Sequence, residues 1–119
     1  MNPIKNPQAR PIRVMLVDDL LIVSWGLEML VQSRNPRMEL AGSATDAAGG
    51  SAIIYETPVD VIVIDLDGDI GVDSIAELCS ISPARVLALT GSRDVSLHDS
   101  AILAGARGVV AKSEPVESL

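Results

Sequence analysis

The centre of the chain is residues 59–67, which read Val-Asp-Val-Ile-Val-Ile-Asp-Leu-Asp. Residues 61–64 are all β-branched and apolar, which is typical of a strand that is buried on both faces. Such near-continuous apolar runs occur in parallel sheets, where helices cover both sides of the strand. We therefore expect a central strand over residues 59–64 that runs into Asp65.

Shorter elements of the same kind lie on both sides of this strand. Apolar runs predict further strands at residues 12–17, 38–41, 85–89 and 109–111. Helical spacing predicts helices between them, at residues 20–33, 45–55, 73–80 and 95–104. Connections this short imply parallel strands with right-handed crossovers. The sequence therefore predicts an α/β fold, a doubly wound five-stranded parallel sheet with helices on both faces.

The two ends of the chain are expected to differ from this core. Residues 1–11 contain three prolines and no apolar stretch, so they predict a disordered lead-in rather than a signal peptide. Residues 12–119 would form one domain. The pair Glu114-Pro115 is typical of a helix start, and we expect this last helix to be truncated at Leu119. Apolar surface left open there predicts self-association.

Composition excludes several classes of function. The 119 residues include 16 acidic and 9 basic side chains, a formal charge of −7, which disfavours direct binding to nucleic acid or to an anionic membrane. One Cys and one His cannot form a disulfide or a Cys/His metal cluster. No apolar run is long enough for a membrane span, so we expect a cytoplasmic protein. Trp25 is expected in the core or half-buried.

Polar residues follow the strong strands at the point where each one ends. Asp18 and Asp19 follow the first strand, Asp65 the central one. Thr90 and Lys112 follow the last two strands. Because the carboxyl ends of parallel strands meet at one edge of the sheet, where ligands bind in such folds, we expect all five side chains there.

This combination of side chains suits phosphoryl transfer. Clustered carboxylates repel one another unless a cation neutralises them, and Mg²⁺ prefers oxygen ligands of this kind. Thr90 and Lys112 can hold an anion, one as a hydroxyl donor and the other as a point charge. Asp65 at the centre can serve as a nucleophile that forms an aspartyl-phosphate.

Four segments in this order resemble a known family. They are VMLVDDL (14–20), VIVIDLD (61–67), LALTGS (87–92) and GARGVVAKSEP (105–115). Over about residues 12–118 the chain resembles the receiver domain of two-component response regulators, and the last segment resembles the NarL/LuxR type. The resemblance implies the flavodoxin-like strand order 2-1-3-4-5.

The resemblance also implies roles and partners. The implied roles are Asp65 as phospho-acceptor, Asp18 and Asp19 as ligands of Mg²⁺, Asp67 as a ligand through its backbone carbonyl, and Thr90 and Lys112 as contacts of the phosphoryl group. The implied donor is a phosphohistidine on a sensor histidine kinase, or a small acyl phosphate. The implied output is a helix-turn-helix domain outside this segment, with a homodimer as the assembly.

Two departures from the family leave alternatives open. The family usually has Pro shortly after the acceptor, whereas this chain has Asp67, Gly68 and Asp69, which predicts a looser and more acidic loop. Val109 stands where the family often has Tyr or Phe, so signalling by an aromatic swing is not expected. A degenerate receiver that acts as a phosphorylation-independent interaction module is therefore an alternative.

A second alternative is an enzyme. The segment VIVIDLDGD (61–69) also resembles the first motif of haloacid-dehalogenase-type phosphatases, with Asp65 as nucleophile and Asp67 as general acid–base. Against this interpretation, Asp69 stands where that motif usually has Thr, and Asp18 and Asp19 precede the nucleophile instead of following the lysine.

Overall fold

A computed structural model describes residues 10–113 of the chain. Its elements alternate along the sequence as predicted. The strands are β1 (Ile12–Val17), β2 (Met38–Ala44), β3 (Val61–Asp65), β4 (Arg85–Thr90) and β5 (Gly108–Ala111). The helices are α1 (Leu21–Gln32), α2 (Ala47–Glu56), α3 (Asp73–Ile81) and α4 (Val95–Ala104).

The strands form one parallel sheet in the order β2-β1-β3-β4-β5, which confirms the predicted topology. In the register of this sheet Val17 pairs with Ile64, and Asp65 pairs with Leu89. Thr90 pairs with Ala111, the residue before Lys112. The carboxyl ends of β1, β3, β4 and β5 therefore lie side by side along one edge.

Each face of the sheet has its own apolar cluster. The larger cluster packs α2, α3 and α4 against the sheet around fully buried residues such as Ile62, Ile64 and Leu78. The smaller cluster packs α1 against the other face through Val14, Leu16 and Val31. An apolar cleft of about 280 Å³ remains open beside α1, between that helix and side chains of β1, β3 and β4. Strand β3 lies between the two clusters. Ile62 and Ile64 are fully buried on one face, whereas Val61 and Val63 line the cleft on the other and are only partly buried, so the predicted burial on both faces is incomplete.

The structure corrects three expectations. Strand β2 extends to Ala44, three residues beyond the predicted end, because residues 42–44 keep pairing with β1 after a register shift. Arg10 lies inside the predicted disordered lead-in, yet its guanidinium forms two hydrogen bonds of 2.8 and 2.9 Å with the Asp60 carboxylate. Trp25 is 61% exposed on α1 rather than half-buried. Residues 1–9 and the predicted helix start at Glu114 lie outside the described residues.

Candidate functional site

Three polar side chains are buried at the carboxyl edge of the sheet. Asp18 is 2% exposed, Asp65 is 1% exposed and Thr90 is fully buried. Strands β1, β3 and β4 deliver them, and the backbone N–H of Lys112 donates to the Thr90 carbonyl at 2.9 Å, which extends the edge to the end of β5. Burying two carboxylates so closely is costly unless positive charge or hydrogen-bond donors compensate them.

Lys112 supplies that positive charge. Its Nζ lies 2.6 Å from Asp65 Oδ2 and 3.0 Å from Asp67 Oδ2. Burial would lower the pKa of Lys112, but the hydrogen bonds from the ammonium to Asp65 and Asp67 outweigh it and raise the pKa above its usual value. The side chain is therefore an ammonium at neutral pH. The basic group predicted for this edge contacts the predicted nucleophile directly.

The buried carboxylate of Asp18 has hydrogen-bond donors for only one of its two oxygens. Its Oδ1 accepts the Leu20 N–H at 2.8 Å, while Oδ2 is buried without a hydrogen-bond partner. Burial raises the pKa of Asp18 to about 6, opposed by the Leu20 N–H and reinforced by the charge of Asp65. A carboxylate in this state gains from any cation that reaches it.

Asp19 points toward the loop after β3. Its Oδ2 accepts the backbone N–H of Asp69 at 2.6 Å, and its Oδ1 is buried without a hydrogen-bond partner. The loop is also held by the Asp67 N–H, which donates to Asp65 Oδ1 at 2.9 Å. Hydrogen bonds tie this acidic loop to the edge, in contrast to the looser loop that the missing Pro predicted.

The free oxygens at this edge fit a hard cation. Asp18 Oδ2 and Asp19 Oδ1 are buried without a hydrogen-bond partner, while Asp65 Oδ2 is paired with the Lys112 ammonium. Within residues 10–113 no three acidic, His or Cys side chains form a ready-made metal cage. Mg²⁺ needs only one or two carboxylates and completes its shell with water and phosphate oxygens, so the residues present suit it.

The carboxylate of Asp67 has contacts that sequence reasoning missed. Its Oδ1 accepts the Thr90 hydroxyl at 2.6 Å, and its Oδ2 accepts the Gly91 N–H at 2.8 Å. Burial opposes ionisation of Asp67, but these donors and the Lys112 ammonium hold its pKa below the usual value. The sequence suggested only a role for the backbone carbonyl. The signal that could have found this side chain was its charge, because Asp67 lies in the loop directly after β3, the strand that pairs with the strand ending at Thr90.

Val109, the other departure from the family, is half-buried in β5 and packs against the larger core cluster. An aliphatic side chain in that position has no ring to turn inward.

The sheet order and the polar residues at its carboxyl edge place the chain in the class of flavodoxin-like receiver domains. A LuxR-family two-component response regulator from Aurantimonas sp. SI85-9A1 has 32% identical residues and a TM-score of 0.79, over 90% of this chain and 78% of the other. The chain belongs to the LuxR/NarL family of response regulators.

Two curated relatives agree with this assignment. The transcriptional regulatory protein LiaR of Bacillus subtilis is 31% identical over 105 residues, which cover 86% of this chain and 49% of LiaR. The nitrate/nitrite response regulator NarP of Escherichia coli is 32% identical over 116 residues, which cover 95% of this chain and 54% of NarP. The chain thus spans about half the length of these relatives. No family model matches the chain.

The LuxR/NarL response regulators are a signalling family and not a family of enzymes. Their similarity to this chain therefore does not support the alternative of a haloacid-dehalogenase-type phosphatase. Between Arg10 and Ser113 there is no helix with the length and apolarity that a membrane crossing requires.

Proposed function

We propose that the domain is a phospho-accepting switch of a two-component system, with Asp65 as the acceptor. The observation that carries this proposal is the contact between Lys112 Nζ and Asp65 Oδ2, 2.6 Å apart at an edge that also holds Asp18 and Asp19. A buried carboxylate with one cation beside it and unsatisfied acids around it is equipped to receive a phosphoryl group rather than to stabilise the fold.

In the proposed step, Asp65 Oδ2 attacks the phosphorus atom of the donor in line. The new bond joins Oδ2 to phosphorus, while the bond from phosphorus to the histidine nitrogen or acyl oxygen breaks and its electron pair leaves with that atom. Oδ1 stays held by the Asp67 N–H at 2.9 Å, which fixes the orientation of the carboxylate. The Lys112 ammonium neutralises charge on the phosphoryl oxygens.

Asp18 and Asp19, with the Asp67 backbone carbonyl, would hold Mg²⁺. When bound, the ion supplies charge neutralisation between the carboxylates and the phosphoryl oxygens. Ionised Asp18 is the form that binds it, and the pKa of about 6 leaves most of this group ionised at neutral pH.

The partners follow from the family. LiaR and NarP are named as a transcriptional regulatory protein and a response regulator, and each is about twice as long as the matched segment. The proposed donor is a sensor histidine kinase, and the proposed output is a helix-turn-helix domain outside this segment. A homodimer, a cytoplasmic location and no direct contact of this acidic segment with nucleic acid complete the proposal.

Incubation with acetyl phosphate and Mg²⁺, followed by intact-mass measurement, tests the function. The expected product carries one phosphoryl group, and Asp65→Asn carries none. Asp69→Asn is the matched control, because it removes a charge from the same loop and its exposed side chain makes no described contact. Labelling that persists in Asp65→Asn would refute the acceptor assignment.

A second candidate function is the phosphorylation-independent interaction module. It is favoured by the Asp67 carboxylate, which already binds the Thr90 hydroxyl and the Gly91 N–H. The same experiment separates the two functions: a folded wild-type protein that gains no phosphoryl group, with or without Mg²⁺, would support the module and exclude the switch.

A further inference from the structure

Three hydrogen-bond donors at the carboxyl edge point at one carboxylate. They are the Thr90 hydroxyl, the Gly91 N–H and the Lys112 ammonium, which we call the donor cluster. All three contact Asp67, at 2.6, 2.8 and 3.0 Å. A hydroxyl, a backbone N–H and an ammonium around two oxygens form a site for an oxyanion, and here the oxyanion is part of the chain itself.

We infer that in the unmodified domain the Asp67 carboxylate occupies the site where a phosphoryl group would bind. It must leave the donor cluster before a phosphoryl group on Asp65 can contact Thr90. The inference deepens the proposed function and rests on it for the identity of the incoming group. It assigns to the Asp67 side chain a role distinct from that of its backbone carbonyl.

The number of available hydrogen-bond donors shows why the Asp67 carboxylate and a phosphoryl group on Asp65 compete. The Thr90 hydroxyl has one hydrogen and donates it to Asp67 Oδ1, and Gly91 has one N–H and donates it to Asp67 Oδ2. Neither group has a second hydrogen for a phosphoryl oxygen. Lys112 has three N–H donors, and Asp65 and Asp67 are its described partners. A phosphoryl group can therefore share Lys112 with Asp67 but cannot share Thr90 or Gly91.

Charge adds to the competition. The hydrogen bonds from the donor cluster stabilise Asp67 as an anion, and a phosphoryl group brings a charge of about −1.5 to −2 to the same place. Like charges a few ångströms apart at a partly exposed site repel each other, so the Asp67 carboxylate and a phosphoryl group oppose each other there. The Asp67 side chain is 30% exposed, so it can swing into water without disturbing the core.

The occupied donor cluster also fixes the loop after β4. Thr90 Oγ1, which donates to Asp67, accepts the Ser92 N–H at 3.0 Å. The loop is thus already drawn toward the acceptor loop before any phosphoryl group arrives. A phosphoryl group that replaces Asp67 would meet a Thr90 loop that is in place, so the movement of this loop on phosphorylation is expected to be small.

The first test compares wild type, Asp67→Ala and Asp69→Ala by ¹⁵N–¹H NMR without Mg²⁺ or phosphoryl donor. Loss of the carboxylate should speed solvent exchange of the Gly91 amide by about tenfold or more, since a hydrogen bond to a charged group contributes about 1.5–3 kcal/mol. Asp69→Ala removes a charge from the same loop and should leave this amide unchanged. Equal exchange of the Gly91 amide in Asp67→Ala and in wild type would overturn the inference.

The second test titrates beryllofluoride, an anionic mimic of a phosphoryl group, in the presence of Mg²⁺. Asp67→Ala should bind it about tenfold more tightly than wild type, because neither displacement nor repulsion of a carboxylate opposes it. Asp67→Asn should also bind more tightly than wild type, which separates the charge effect from the loss of side-chain volume. Asp69→Ala should stay within about twofold of wild type.

The outcomes distinguish this inference from the function on which it rests. If Asp67→Ala binds beryllofluoride no better than Asp69→Ala, the carboxylate does not control access and the inference fails, even where acetyl phosphate labels Asp65 in the wild type. If wild type is not labelled but Asp67→Ala is, the inference holds and the native domain is a self-occupied module rather than a working switch. Far-UV circular dichroism of each variant checks that it is folded.

Discussion

Gly68 lies so close to Asp19 that a Cβ added to this glycine would overlap the Asp19 carboxylate. The loop after β3 and the acid after β1 therefore pack against each other at a position where no side chain fits. The neighbouring residue Asp69 holds the same carboxylate through its backbone N–H at 2.6 Å. Gly68 is thus required for the position of Asp19, although it carries no functional group.

Gly68→Ala should weaken Mg²⁺ binding by about tenfold or more, the usual cost of losing a group that orients a metal ligand. The overlapping atoms are the end of a flexible side chain, so Asp19 can rotate away. The free energy of unfolding without Mg²⁺ should therefore change by less than about 1 kcal/mol. Calorimetric titration with Mg²⁺ and thermal unfolding in EDTA measure the two effects.

Gly26→Ala is the matched control, because a Cβ there has no atom within 4 Å. Gly26 is an exposed position in the interior of α1, so Gly26→Ala should stabilise the protein by about 0.5–1 kcal/mol and leave Mg²⁺ affinity unchanged. Equal Mg²⁺ affinity of the two alanine variants would show that Gly68 does not position Asp19.

The sequence predicted the sheet well because its strands carry their own signal. Residues 61–64 are apolar on both faces, and the structure buries Ile62 and Ile64 completely. Gly105 ends α4 in the left-handed region with φ of 122°, a conformation that favours glycine after a helix. The end of β2 was missed because residues 42–44, Gly-Ser-Ala, have weak strand preference and are held by pairing with β1.

The side chain of Asp67 and the exposure of Trp25 could not be predicted in the same way. Strand ends show which residues share an edge, but not which side chains meet across it, and the contact of Asp67 with Thr90 joins residues 23 apart in sequence. Apolar residues on α1 lie all around the helix, so spacing alone did not show that Trp25 faces outward at 61% exposure.

Lys112→Met should destabilise the domain by about 1–3 kcal/mol. It leaves the Asp65 side chain, 1% exposed, without its counter-charge, and the usual cost of breaking a buried pair is reduced here because the Lys112 side chain is 28% exposed. Adding Asp65→Asn removes the uncompensated charge, so the double variant should recover most of the loss. Urea unfolding of the four proteins gives the coupling energy, and a coupling near zero would contradict the pairing.

Asp18→Asn should stabilise the Mg²⁺-free protein in a pH-dependent manner. The pKa of Asp18 rises from 3.8 in the unfolded chain to about 6 in the folded protein, so the folded state binds this proton more tightly. In the wild type, the stability contributed by protonated Asp18 is fully present below pH 3.8 and is lost as the pH rises through about 6. The side-chain amide introduced by Asp18→Asn does not titrate, so the variant does not lose stability in this way. At pH 7 the free energy of unfolding of Asp18→Asn should exceed that of wild type by about 1–3 kcal/mol.

Thermal or urea unfolding in EDTA from pH 4 to pH 7 measures this difference. The gap between Asp18→Asn and wild type should widen up to about pH 6 and then stay constant. Asp69→Asn, which removes an exposed carboxylate from the same edge, should show no such widening. A gap for Asp18→Asn that is constant over the whole range would mean that Asp18 titrates normally.

Gly105→Ala tests the turn that leads from α4 into β5 and so to Lys112. At φ of 122° a side chain is strained, and a Cβ would also lie 2.8 Å from Cys79 Sγ. The variant should lose about 1–3 kcal/mol in thermal unfolding. Adding Cys79→Ala removes the overlap but not the backbone strain, so it should recover only part of this difference, measured against Cys79→Ala alone. Full recovery would show that the Cys79 contact, and not the left-handed backbone, requires glycine at this turn.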